Sequence, residues 1–177
     1  MVITAGLDSY IRTVPNFPKQ GIMFRDITTL LSDDRAFAAA IDALYEHYKS
    51  DRIEKVVGIE SRGFIFGSAL AYRLGAGFIP VRKPKKLPAR TIHKEYKLEY
   101  GTDALEIHAD ALGKGERVLI VDDLLATGGT VAAACELVRE LGANIVGLAF
   151  LIELTFLHGR ERLTGCDIFS LIAYNAE

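Results

Sequence analysis

The sequence VLIVDDLLATGGT, residues 118–130, passes from an apolar run through Asp122 and Asp123 into a turn of small and hydroxylic residues. The apolar run predicts a strand that is buried on both faces, as at the centre of a parallel sheet. The following TVAAACELVRELG has the pattern of a helix that ends at Gly142. A strand, turn and helix in this order place the turn at the carboxyl edge of the sheet, where open α/β folds bind ligands.

The turn itself predicts an anion site. Its backbone amides can converge on a phosphate at the start of the helix, and glycine permits close approach. A nucleotide-binding P-loop is excluded because no lysine follows the glycines, and GAGFIP lacks the third glycine of a dinucleotide fingerprint. Asp122 and Asp123 would repel an anion unless they contact ribose hydroxyls or a magnesium ion. A sugar phosphate is the ligand that satisfies both the amides of the turn and the two aspartates.

The flanking segments extend the same architecture. KVVGIE, RGFIFGSALAYRLG and GFIPV predict a strand, a helix closed by Gly75 and a parallel strand, and ANIVGLAFLIEL and CDIFSLIAY predict two further strands. SDDRAFAAAIDALYEHYK predicts an amphipathic helix with Ser32 as its N-cap. We therefore predict an α/β fold with a mostly parallel central sheet flanked by helices.

Length, charge and cysteine spacing limit the classes of function. The chain has 177 residues, half of them hydrophobic, which fits a single domain over residues 1–177. A formal net charge of −2 disfavours a protein whose surface as a whole binds nucleic acid. Cys135 and Cys166 match neither a redox pair nor a zinc site, and no segment has the length of a membrane span. We expect a cytoplasmic protein without nucleic-acid or membrane partners.

One stretch, residues 83–96, is predicted to be irregular. It contains Pro84, Pro88 and a dense cationic run, so we expect a flexible loop that acts as a lid over a site. Two strand-like pieces, KLEYG and ALEIH, follow it. The four histidines have no ligand spacing and are assigned no chemistry.

VLIVDDLLATGGT resembles the phosphoribosyl diphosphate (PRPP) motif of the type I phosphoribosyltransferases. Four further stretches occur with it in an order similar to that of the adenine phosphoribosyltransferases: FPKQGIMFRDIT, ESRGFIFG, VRKPKKLP and YKLEYGTDALEIHADAL. The resemblance implies transfer of the phosphoribosyl group from PRPP to adenine, which gives AMP and pyrophosphate in purine salvage. It also implies a homodimer, a base-binding hood over residues 1–32, and Mg²⁺ bound mainly through PRPP near Asp122 and Asp123.

The same resemblance assigns roles to residues of this chain. The catalytic residues it implies are Glu99 as general base, Arg62, and Tyr100 as a gate. The 5′-phosphate and ribose are assigned to Asp122, Asp123, Ala126, Thr127, Gly128, Gly129 and Thr130. The pyrophosphate is assigned to Glu60, Ser61, Arg62, Arg82, Lys83 and Lys86, with a cis peptide expected between Glu60 and Ser61. Adenine is assigned to Met23, Phe24, Arg62 and Leu124.

Two alternative functions stay open at this point. One is the same reaction with guanine, hypoxanthine, xanthine or orotate, which the FRDI and KLEYG segments disfavour. The other is a PRPP-sensing regulator that binds nucleic acid, which would carry extra basic surface or an added DNA-binding segment. The loop also departs from the common pattern, since Lys85 replaces a frequent glycine.

Overall fold

A computed structural model describes residues 6–97 and 102–176. Four α-helices are found in this part of the chain: α1 Thr28–Ser32, α2 Asp34–Tyr48, α3 Gly63–Leu74 and α4 Gly129–Glu140. The strands are β1 Arg12–Pro15, β2 Met23–Asp26, β3 Lys55–Ile59, β4 Gly77–Val81, β5 Thr91–Lys97, β6 Thr102–His108, β7 Arg117–Leu125, β8 Asn144–Leu154 and β9 Ile168–Tyr174. Short 3-10 helices cover Leu7–Tyr10, Thr155–Leu157 and Gly159–Arg162.

The centre of the fold is a five-stranded sheet in the order β4, β3, β7, β8, β9, with every pairing parallel. The prediction of an α/β fold with a mostly parallel central sheet is therefore confirmed. β7 is the middle strand, as its apolar sequence indicates. Two antiparallel hairpins, β1 with β2 and β5 with β6, lie outside this sheet.

Both faces of β7 are buried because its side chains alternate between two cores. Leu119 and Val121 belong to the core covered by α2 and α3. Val118 and Ile120 belong to the core on the opposite face, which α4 and β6 cover. The continuous apolar sequence of this strand thus reflects a sheet with helices on both sides.

Strands are added to the sheet in opposite directions on the two sides of the β3 and β7 pair. From β3 the chain crosses through α3 to β4, and from β7 it crosses through α4 to β8 on the other side. The two crossovers run apart, so a crevice opens at the carboxyl ends of β3 and β7. Residues 60–62 and 122–130 lie at this edge.

Two predictions about local structure are wrong. Residues 83–96 are not irregular throughout, since from Thr91 the chain forms β5, paired antiparallel with β6. The breaker residues Pro84 and Pro88 precede this strand, while Ile92 and Tyr96 pack against the core that α4 covers. Residues 98–101, which hold most of KLEYG, lie outside the described residues.

The second error concerns the start of α2. Ser32 is the last residue of α1, and its hydroxyl donates to the Thr29 carbonyl at 3.0 Å. Asp33 is the N-cap of α2 because its Oδ1 accepts from the backbone N–H groups of Arg35 and Ala36 at 3.1 and 2.8 Å. Both residue types favour this position, and the tertiary structure decides between them.

We predict that Asp33→Ala lowers the free energy of unfolding by about 1 kcal/mol, because two amides of the first turn lose their acceptor. Ser32→Ala is the matched control and should cost less than about 0.5 kcal/mol. Urea denaturation of both variants measures the difference. An equal or larger loss in the Ser32 variant would contradict the observed cap.

Candidate active site

The carboxyl ends of β3 and β7 form the walls of a polar cavity of about 770 Å³. After β3 the chain supplies Glu60, Ser61 and Arg62, and the Glu60–Ser61 peptide is cis, as expected. The carboxyl end of β7 supplies Asp122 and Asp123, and the turn follows the strand. The remaining wall consists of Lys83, Lys86, Tyr96 and Asp103.

The turn after β7 is a cradle of backbone groups, residues 126–130. Gly128 has φ +80° and precedes the first residue of α4, so the amides at the helix start face the crevice. A small second cavity of about 70 Å³ is lined by this turn. The cradle therefore has the shape and the donors for a phosphate.

The backbone of Gly159 packs directly against the cradle. A Cβ atom at Gly159 would overlap the carbonyl oxygen of Ala126, and one at Gly128 would lie 2.5 Å from the Gly159 carbonyl oxygen. Nearby, the Arg160 guanidinium holds the buried Glu153 carboxylate through two contacts of 2.6 Å. Gly159 thus supports the turn through backbone packing that only glycine allows.

The two aspartates differ in their partners. Asp123 is 5% exposed, and its Oδ2 accepts from Arg62 Nε at 2.8 Å. Burial and the neighbouring Asp123 charge raise the pKa of Asp122 well above its usual value. Burial also raises the pKa of Asp123, although Arg62 opposes that rise. The pair is therefore harder to ionise fully than two isolated carboxyl groups would be.

An apolar cavity of about 380 Å³ adjoins the polar one at Arg62, which lines both. Phe17 and Phe24 form its aromatic wall, with ring centroids 5.0 Å apart. The Arg62 guanidinium carbon lies 5.5 Å from the Phe24 ring centroid. A flat apolar ligand with polar edges fits such a cavity.

Comparisons with known proteins agree with this geometry. Residues 26–170 match the phosphoribosyl transferase domain family. The chain is 63% identical to the adenine phosphoribosyltransferase of Acidobacterium capsulatum, covering 96% of this chain and 93% of the relative. The adenine phosphoribosyltransferase structure from Thermoanaerobacter pseudethanolicus matches with a TM-score of 0.94 and 53% identity, covering 97% of this chain and 99% of that chain.

The chain belongs to the adenine phosphoribosyltransferase family. Its fold is also similar to the Saccharomyces cerevisiae enzyme complexed with adenine and D-2,5-dideoxy-2,5-imino-altritol 1,6-bisphosphate. That match has a TM-score of 0.91 and 42% identity, and covers 95% of this chain and 97% of the yeast chain. The roles of individual residues in this chain stay predictions, and the structure shows where the described ones lie.

Most of the residues that the family pattern assigns to the site lie together. The residues assigned to the phosphate line the polar or the cradle cavity. Phe24 lines the apolar cavity, and Leu124 lines the two polar ones. Met23 is 38% exposed and is not among the described residues that line the apolar cavity, so its assigned contact with the base stays a prediction. Glu99 and Tyr100 lie outside the described residues.

The residues assigned to pyrophosphate include Glu60, whose side chain carries a negative charge like the ligand itself. The Glu60 carboxylate is bound by Arg82, Lys86 and the backbone N–H of Lys83, so only its peptide group is suited to an anion. Lys85, the departure from the common loop pattern, has φ +67°. The left-handed conformation that favours glycine is therefore kept although a lysine is present.

Two residues in the site were missed by the sequence analysis. Tyr96 and Asp103 are cross-strand partners in the β5 and β6 hairpin, and the Tyr96 hydroxyl donates to Asp103 Oδ2 at 3.3 Å. Asp103 also binds Lys83 at 2.9 Å. The alternation of the two strands was a usable signal, but their register depends on the intervening turn.

We predict that Asp122→Asn stabilises the fold increasingly as pH rises. The pKa values of both aspartates are raised above the ordinary value for aspartate in the folded protein, so the wild type loses stability as pH rises from that value through the folded pKa values. The asparagine side chain at position 122 cannot ionise, so the variant also lacks the charge repulsion between residue 122 and the Asp123 carboxylate. The gain should reach about 1 kcal/mol, or about 2–4 °C in Tm, above neutral pH.

Thermal unfolding across a pH series measures this effect. Asp110→Asn, at an exposed position, is the matched control and should show no such pH dependence. A variant less stable than the wild type at every pH would show that the buried carboxyl is not a source of repulsion.

Proposed function

We propose that the chain transfers the 5-phosphoribosyl group from PRPP to adenine, giving AMP and pyrophosphate. The observation that carries this proposal is the meeting, at Arg62, of a polar cavity lined by cations and by part of the cradle with an apolar aromatic cavity. Membership of the adenine phosphoribosyltransferase family supports it, as does the yeast relative in complex with adenine and a bisphosphate. The reaction belongs to purine salvage.

The geometry separates the part of the substrate that is held from the part that reacts. The 5′-phosphate occupies the amides of residues 126–130, and the ribose hydroxyls bond to Asp122 and Asp123. The diphosphate lies across the crevice, at the Ser61 peptide, Arg62 and the loop lysines. The anomeric carbon is thereby placed between its leaving group and the base, which shortens the approach of the reacting atoms.

Arg62 contributes to both halves of the reaction. Its guanidinium lies at the border of the two cavities, held by the buried Asp123 carboxylate at 2.8 Å. From this position it donates toward the negative charge that develops on the departing diphosphate. Its guanidinium carbon lies 5.5 Å from the Phe24 ring centroid, beside the cavity assigned to the base, so the same residue orients adenine.

Magnesium is part of the proposal. Among residues 6–97 and 102–176, no three His, Cys, Asp or Glu side chains cluster as a metal site. The pair Asp122 and Asp123 nevertheless fits Mg²⁺, which is commonly bound through one or two carboxylates and the phosphates of a substrate. When bound, the ion neutralises charge on the diphosphate. Asp122 and Asp123 would hold it on the ribose side of the crevice.

The cellular setting completes the proposal. A cytoplasmic location and a homodimer follow from the family resemblance, together with the base-binding hood of residues 1–32. Among the described residues, no helix is both long and apolar enough to cross a bilayer. The β1 and β2 hairpin supplies Phe17 and Phe24 to the apolar cavity, which supports the part of the hood that contacts the base.

Base specificity is the measurement that tests the function. With PRPP and Mg²⁺, pyrophosphate release should be fast with adenine and at least about a hundredfold slower with hypoxanthine or guanine, because wrong edges leave buried polar groups unpaired. Each base should be assayed alone and in competition. Equal rates with an oxopurine, or no release with adenine, would contradict the proposal.

Glu99→Gln tests the general base, which must accept a ring proton as adenine attacks. We predict that kcat falls by about a hundred- to ten-thousandfold while the PRPP affinity changes little, since the variant removes a proton acceptor and not a phosphate contact. Glu95→Gln is the matched control, an exposed residue of β5 with the same charge change. Near-normal turnover in the Glu99 variant would refute the role.

A further inference from the structure

The cations assigned to the diphosphate all have carboxylate partners within the protein. Lys83 Nζ lies 2.9 Å from Asp103 Oδ2. Arg82 Nε lies 3.2 Å from Glu60 Oε2, and Lys86 Nζ binds the other Glu60 oxygen. The loop therefore presents neutralised ion pairs to the cavity.

Glu60 is the carboxylate that collects most of these contacts. It accepts from the Lys83 backbone N–H at 3.0 Å in addition to the side chains of Arg82 and Lys86. Burial raises its pKa, but the hydrogen bonds from Lys86, Lys83 and Arg82 outweigh that effect and lower the pKa to about 2. Glu60 is therefore ionised throughout the neutral range.

Asp103 holds the remaining cation from the opposite wall. Its Oδ2 accepts from Lys83 and from the Tyr96 hydroxyl at 3.3 Å, while Oδ1 accepts from the Ala104 backbone N–H at 2.9 Å. The hydrogen bond from Lys83 is the largest contribution that lowers the pKa of Asp103. Tyr96 lines this cavity together with Thr130, a residue of the cradle. Asp103 thus lies between the two halves of the polar cavity.

The cationic side chains in and around the cavity are paired with carboxylates. Arg62 lies beside Asp123, Lys83 beside Asp103, and both Arg82 and Lys86 beside Glu60. A diphosphate that enters this cavity therefore meets carboxylates as well as cations. It gains the lysines only where it replaces a carboxylate as their partner.

We propose that Glu60 and Asp103 are internal counter-ions that compete with the diphosphate for the cations of the loop. The inference rests on the proposed function, because that function makes a diphosphate the ligand. When the diphosphate binds, the ammonium groups of Lys83 and Lys86 exchange carboxylate oxygens for phosphate oxygens. When pyrophosphate leaves, the carboxylates take the cations back. The two residues therefore weaken binding and favour release of the product.

Asp103→Asn is the variant that tests this role, and inorganic pyrophosphate is the probe. The amide keeps an acceptor for Lys83 and Tyr96 but removes the negative charge. Calorimetric titration should show pyrophosphate bound about three- to tenfold more tightly than by the wild type, and KM for PRPP should fall. Asp110→Asn, an exposed control in the same part of the chain, should change neither.

The sign of the change separates a counter-ion from a structural residue. A residue that only positions Lys83 would, when replaced, weaken pyrophosphate binding, so weaker or unchanged affinity overturns the proposal. Tyr96→Phe removes a hydrogen bond to the same carboxylate without changing charge, and should not tighten binding. The gain in the Asp103 variant should also shrink as salt is added, because screening weakens the repulsion that the mutation removes.

Two outcomes distinguish this proposal from the function on which it rests. If the wild type binds no pyrophosphate and releases none from PRPP with adenine, the proposed function fails. If the wild type does both and the variant does not bind pyrophosphate more tightly, only the counter-ion role fails. Asp103→Ser provides a second removal of the charge should the asparagine variant not fold, and the same tighter binding is expected.

Discussion

The parallel pairing of β3 with β7 is the constraint on which the site depends. These two strands are neighbours, but their crossovers leave in opposite directions, so a crevice opens at their carboxyl ends. The Glu60–Arg62 segment and the Asp122–Thr130 segment are far apart in the sequence and meet there. Gly63 shows how closely they meet, because a Cβ atom on it would lie 2.8 Å from Asp122 Oδ1.

The site places like charges together at a cost to the fold. Asp122 and Asp123 are adjacent in a poorly solvated position, and only Asp123 has an arginine partner. Two poorly solvated carboxyl groups this close together are less favourable than apolar residues in the same place. In the proposed reaction, the sugar hydroxyls and the metal would give this pair further partners.

Local sequence patterns predict much of the fold and half of the site. The apolar run of β7, the glycine that closes α3 and the small residues of the cradle each carry their own local signal. The partners of the cations do not, because Asp103 reaches Lys83 only through the register of the β5 and β6 hairpin. Gly159 is another such case, since its need for glycine arises from contact with Ala126 and Gly128, which no nearby residue indicates.

The division of the substrate between the two strand ends is the central claim, and a crystal structure with PRPP, Mg²⁺ and an unreactive analogue of adenine tests it most directly. The account predicts the 5′-phosphate at the amides of residues 126–130, the diphosphate at Ser61 and Arg62, and the analogue against Phe24. It also predicts that Lys83 has left Asp103 for a phosphate oxygen. Electron density with the diphosphate in the cradle, or with the base outside the Phe24 cavity, would contradict the account.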